Sequence, residues 1–181
     1  MIGWFYELVQ VFWILIPAIF ANLSPVLVRK IDFLNYPVDF YKKLGKKRLF
    51  GENKTYRGFF FGILSAILIA YIQMKITPYL FVDFIFDYNS VNIIAFGALL
   101  GFGALSGDLI KSFVKRRIGK KEGHPWLPFD QIDWAVMCLI FLNFMIKISL
   151  LTNLLVLIIG GVGHMAFNYV GYLLKLKKSK F

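Results

Sequence analysis

The chain has 181 residues, 59% of them hydrophobic and 18% aromatic, with a mean hydropathy of +0.67 and a formal net charge of +11. Apolar runs of about 20 residues recur along it, as a bilayer core requires, and this excludes an ordinary water-soluble domain. The lone cysteine, Cys138, lies inside such a run, which excludes an intramolecular disulfide and reads as a small buried hydrophobe.

In chain order, the first predicted helix spans 4–27. It is too long for a signal peptide and lacks a small-residue cleavage site after it, so it is read as a retained span. Pro17 should interrupt it, and the polar stretch Ala21 to Pro25 should close it. Asn22 and Pro25 either line a cavity near the inner end or form a plain terminating turn. From Arg29 to Arg57 basic residues alternate with Phe and Tyr, the composition of a segment lying in the headgroup layer. Within it, Gly51 to Gly58 reads GENKTYRG: glycines bracket Asn53, Lys54, Thr55 and Arg57 just before the next apolar run. Backbone amides, a lysine and an arginine at a helix start make an anion site.

The second helix is predicted over 58–73, followed by an aromatic connector that holds Pro78, Asp83 and Asp87. A third, over 91–113, carries Gly97-x-x-x-Gly101 and Gly103-x-x-x-Gly107, spacings that let helices approach closely. The fourth and fifth follow over 131–148 and 151–174. On the fifth, His164 and Asn168 lie one turn apart, as a hydrogen-bonded pair or as ligand contacts.

The stretch from Gly103 to Trp134 organises the rest. Asp108 stands among Leu, Ile and Phe, and a carboxylate at lipid depth is costly unless it faces a polar cavity or a partner. If the helix continues, Asp108, Lys111, Ser112 and Lys115 share one face. Asp130 and Asp133, three apart at the start of the next run, would let two helix ends aim three carboxylates at one point. Hard oxygen ligands beside several cations suit a magnesium-bound phosphate or nucleotide.

Nineteen of the twenty-one Lys and Arg residues fall in the first and third connections and the tail, leaving only Lys75 and Lys147 on the other side. The expected fold is therefore all-α: one integral membrane domain over 1–181 with five transmembrane helices, N-terminus outside, C-terminus cytoplasmic, and a polar cavity on the cytoplasmic side. Segregation of this kind assigns the positive charge to topology rather than to nucleic acid.

Ser112, Lys115, Arg116, Lys120, Asp130 and Asp133 form S-x-x-K-R, a later K and a closing D-x-x-D. This pattern resembles the signature of the membrane phosphatidate cytidylyltransferases. In place of that family's His-Gly-Gly element stands His124-Pro125-Trp126-Leu127-Pro128-Phe129. With its short length, ANxxPV start and GENKTYRG, the chain is more similar to the archaeal branch, the CDP-archaeol synthases. The resemblance implies CTP-dependent activation of an unsaturated diether glycerol phosphate, of the 2,3-bis-O-geranylgeranyl-glycerol 1-phosphate type, to a CDP-lipid with release of pyrophosphate, at the cell membrane with the active site facing the cytoplasm. It also implies Mg²⁺ held by Asp108, Asp130 and Asp133, and phosphates held by Lys54, Arg57, Lys115, Arg116 and Lys120. Ser112 would donate a hydrogen bond or complete a metal shell, and Asn22, Pro25, His124, His164 and Asn168 are candidate lipid or cavity contacts. Arg117, Lys121 and the tail lysines are expected only to anchor the inner leaflet.

Other readings compete. A diester phosphatidate is the alternative lipid, since chain type is sensed by apolar walls. A cation channel or transporter built on Asp108 would need polar residues at the outer end to continue its pathway, and nothing comparable gathers there. A CDP-alcohol phosphotransferase would carry D-G-x-x-A-R, which is absent.

Overall fold

The computed structural model describes residues 3–80, 86–120, 124 and 126–173. Asp83, Lys121, Pro125 and the tail lysines lie outside them. Among the described residues the chain forms five α-helices, a two-residue hairpin and one 3-10 turn, Thr77–Tyr79.

α1 runs unbroken over Gly3–Leu27, with Pro17 and Pro25 inside it. The helix ends at Leu27 as expected, but the expected interruption at Pro17 is absent, because the carbonyls the prolines release find other surroundings. Pro17 has no N–H for the Trp13 carbonyl, and that oxygen instead accepts from Gln73 Nε2 of α2 at 2.6 Å. Pro25 likewise frees the Ala21 carbonyl, which lies against Gly62 of α2, where a methyl group would stand 2.9 Å from the oxygen. Ser24 Oγ bonds the Phe20 carbonyl at 3.0 Å and Ser65 Oγ at 2.8 Å. Two prolines that would break an isolated helix thus join α1 to α2 (Tyr56–Ile76).

α3, Ile93–Arg117, is the central helix. Asn92 caps its start, its Oδ1 accepting from the amides of Ile94 and Ala95 at 3.1 Å each. Its two glycine pairs face different neighbours. At Gly97 and Gly101 a Cβ would meet the backbone of Ile67 and Ile63 on α2 at 2.6 and 3.0 Å, whereas at Gly103 it would meet the Phe141 ring on α4 at 2.9 Å. Gly107 lies against the backbone of Asp133. Packing is what these glycines serve, α2 on one side of α3 and α4 on the other.

α4, Phe129–Met145, begins two residues before the expected start and so takes Asp130 into its first turn. α5 spans Leu150–Leu173. Glu7 of α1 accepts from the Ser149 amide at 2.8 Å and from its hydroxyl at 3.0 Å, bringing the starts of α1 and α5 to one end of the bundle. The hairpin between α1 and α2, β1 (Lys43–Leu44) against β2 (Lys47–Arg48), lies at the other end beside the last turn of α3. By length and composition, Gly3–Leu27, Tyr56–Tyr79 and Ile93–Arg117 are long and apolar enough to cross a membrane.

Candidate active site

The connection between α1 and α2 is built around a carboxylate. Asp39, whose side chain is 0% exposed, pairs with Arg48 and accepts from the amides of Tyr41 (3.0 Å), Phe50 (3.2 Å) and Gly51 (3.4 Å). Burial alone would raise its pKa; the Arg48 guanidinium and these amides overcome that and hold the carboxyl below its ordinary value. Arg117, expected as a surface anchor, donates to the Leu44 carbonyl at 2.9 Å and the Lys47 carbonyl at 3.3 Å. Together Asp39 and Arg117 hold GENKTYRG against the end of α3.

Thr55 is the N-cap of α2, its hydroxyl accepting from the Gly58 amide at 3.2 Å. The cap turns Asn53 and Lys54 toward α3. Lys54 Nζ pairs with Asp108, joining GENKTYRG to the carboxylate of the neighbouring helix. Because α3 continues to Arg117, Lys111, Ser112 and Lys115 lie on the Asp108 side of the helix, as the spacing predicts. Ser112 Oγ donates to the Asp108 carbonyl at 2.8 Å. Lys115 is buried; its Nζ bonds both Asp130 oxygens at 3.0 Å and the His124 carbonyl at 2.6 Å. Asp130 also accepts from the Trp126 amide at 2.6 Å, so its carboxylate organises the turn before α4.

Lys111 completes the arrangement. Its Nζ lies 2.9 Å from Asp108, 3.3 Å from Asp130 and 2.9 Å from Asp133. The three carboxylates therefore do converge on one point, from the end of α3 and the start of α4, and the cation at that point is the protein's own ammonium. Beside it opens a polar cavity of about 130 Å³ lined by Phe50, Gly51, Asn53, Lys54, Asp108, Lys111, Ser112, Lys115 and Arg116. A larger hollow of about 410 Å³ between α4 and α5 is lined by apolar residues and two asparagines, Asn143 and Asn153, without a charged group.

The remaining candidates lie elsewhere. Arg57 is buried and donates to the Ile31 carbonyl, outside the cavity lining. Lys120 follows the end of α3, its amide bonding the Lys115 carbonyl at 2.9 Å. Pro25 packs on Gly58, and Asn22 is half-buried three residues before it. The His124 side chain is exposed and contributes its carbonyl to Lys115. His164 and Asn168 stand on α5, also outside the lining.

Sequence reasoning gave no role to Lys111 and did not single out Asp39 or Gln131. The position of Lys111 one turn after Asp108 was a visible signal. Asp39 had none, because apart from the Tyr41 amide its partners, the Arg48 guanidinium and the amides of Phe50 and Gly51, are nine to twelve residues on and meet it only through the folded loop. Gln131 is 1% exposed in the first turn of α4, and neither end of its amide has a hydrogen-bond partner among the described residues.

Comparison with known proteins shows the family. The family described as CarS-like, CDP-archaeol synthase, matches residues 5–181. A CDP-archaeol synthase of Thermococcus kodakarensis is 36% identical over 173 residues, 94% of each chain. One of Pyrococcus furiosus is 36% identical over 175 residues, 95% of this chain and 97% of that one. The fold resembles that of a solved intramembrane enzyme for archaeal membrane lipid biosynthesis, with a TM-score of 0.73 and 23% identity, covering 89% of this chain and 94% of that one. On the family match and on these relatives alike, the chain belongs to the CDP-archaeol synthase family.

Proposed function

We propose that the protein transfers the cytidylyl group of CTP to the phosphate of an unsaturated diether glycerolipid, giving a CDP-lipid and pyrophosphate. The observation that carries this reading is the juxtaposition of GENKTYRG with the end of α3 and the start of α4: Asp108 and the cations line one polar cavity, and Asp130 and Asp133 join it through Lys111.

A phosphate monoester is largely dianionic near neutral pH, its second pKa being about 6, so it needs no Ser-His or Cys-His device to become a nucleophile. One of its oxygens attacks the α-phosphorus of CTP; the bond to the β-phosphate oxygen breaks and pyrophosphate leaves with that electron pair. What the chain must supply is alignment and charge neutralisation. Lys54, Lys115 and Arg116, with Asn53 and Ser112, line the space in which the phosphates would lie, and the amides of Phe50 and Gly51 are already engaged by Asp39. Arg57 is assigned to holding the loop through Ile31.

Asp108, Asp130 and Asp133 suit Mg²⁺ in donor chemistry: hard oxygens around one cationic position. Among the described residues no three such groups stand as a finished cage, and Lys111 holds the centre. When bound there, Mg²⁺ would neutralise triphosphate charge and polarise the phosphoryl group.

The same reading makes all five helices spans of a cell membrane, with the cavity facing the cytoplasm. Supporting it are the segregation of basic residues and the helix ends: the starts of α1 and α5 share one end, and the carboxylates and hairpin share the other. The five helices are taken to form one domain.

Purified protein given CTP, Mg²⁺ and either a diether or a diester lipid phosphate tests the proposal. Pyrophosphate release and CDP-lipid formation with the diether are expected, and preference for the diester would replace the lipid assignment. Absence of both products with either lipid would refute cytidylyl transfer.

A further inference from the structure

Among the described residues, Lys111 is the one charged group that touches all three carboxylates. An ammonium has three donors and no acceptor, so Asp108, Asp130 and Asp133 together saturate it. Its spacings of 2.9, 3.3 and 2.9 Å are those of an ion pair, wider than the about 2.0–2.1 Å that Mg²⁺ demands of its oxygens. A divalent cation and an ammonium held by the same oxygens repel each other within a few ångströms in a poorly screened site, so the two exclude each other. Lys111 also lines the polar cavity, and its flexible four-carbon stem gives the ammonium somewhere to go.

We propose that Lys111 is a built-in counter-ion. It holds the three carboxylates together while no divalent cation is bound, competes with that cation for them, and moves its ammonium into the cavity when the ion binds. The proposal rests on the reading of these aspartates as cation ligands. A residue that only glued α3 to α4 would behave oppositely, since its removal would loosen the carboxylate cluster and weaken ion binding.

The test is direct Mn²⁺ binding to purified, detergent-solubilised protein without nucleotide or lipid, followed by the electron paramagnetic resonance of free Mn²⁺. Lys111→Met should bind Mn²⁺ at least about tenfold tighter than wild type, since removing a like charge a few ångströms away is worth at least that much. Its melting temperature in EDTA should fall and be restored by Mn²⁺, whereas Lys111→Arg, which keeps the charge, should show no tightening. If Lys111→Met does not survive purification, Lys111→Gln carries the same comparison. Unchanged or weaker Mn²⁺ binding in the neutral variant overturns the proposal. Asp130→Asn and Asp133→Asn separate it from its parent reading. Wild-type Mn²⁺ binding in both sinks the cation site itself; loss of binding there, with no tightening in Lys111→Met, sinks the counter-ion alone.

Discussion

Gly107→Ala tests whether the α3–α4 interface sets the geometry of the carboxylates. A methyl at Gly107 would stand 2.8 Å from the Asp133 carbonyl carbon, closer still to its oxygen, and 3.2 Å from Met137 Cγ. Carbon atoms in contact prefer about 3.5–4.0 Å, so α4 must retreat by about 1 Å at this turn, because a backbone carbonyl cannot rotate away as a side chain can. Overpacking of this kind costs about 1–3 kcal/mol, and a misplacement of about 1 Å at a reacting centre costs about 10²-fold in rate. Asp133 moves with its backbone, and Asp130, one turn earlier, moves with it. The expected result is a folded, extractable protein with a lowered melting temperature and cytidylyl transfer reduced by about two orders of magnitude, measured as pyrophosphate release. Gly163→Ala is the control: nothing lies within 4 Å of a Cβ there, and the same exchange should leave turnover unchanged. Wild-type turnover in Gly107→Ala would refute the claim that this contact positions the carboxylates.

Other outcomes follow from other contacts. Asp130→Asn and Asp133→Asn should each abolish most Mg²⁺-dependent turnover while leaving a folded protein, and excess Mg²⁺ should restore it only in part; full activity in both would remove them from the cation site. Lys54→Ala should reduce turnover with little change in melting, whereas Arg57→Ala should lower stability by about 1–3 kcal/mol with near-normal CTP kinetics in the folded fraction; the reverse pattern would return Arg57 to the substrate. Because the folded-state pKa of Asp39 is depressed, its contribution to stability is present above about pH 4 and lost as pH falls through the lower folded value. Asp39→Asn should therefore melt lower at pH 6 and lose less on acidification to pH 3, as thermal denaturation would show; an equal acid loss in both proteins would contradict this.

The carboxylate cluster was legible because helical spacing is local: Asp108, Lys111, Ser112 and Lys115 share a face wherever α3 goes, and Asp130 and Asp133 follow at the next helix start. GENKTYRG was legible as an anion loop, yet only the fold separates Lys54, which meets Asp108, from Arg57, which turns back to Ile31. The continuity of α1 was not readable. Proline breaks a helix through the carbonyl it orphans, and whether that carbonyl is satisfied depends on Gln73, sixty residues away. Asp39 escaped notice for the same reason, since backbone amides brought together by a loop leave no pattern in the residue order.

The bond between Gln73 and the Trp13 carbonyl also bears on biogenesis. Entering lipid alone, α1 would carry an unsatisfied carbonyl beside Pro17, and α2 alone would carry a bare amide nitrogen on Gln73 near the far end of its span; each is costly there, and the two satisfy each other. The two therefore gain by leaving the insertion machinery as a pair. On that order of assembly the α1–α2 hairpin is the first unit to mature, and α3 then docks its glycine face onto a surface already made.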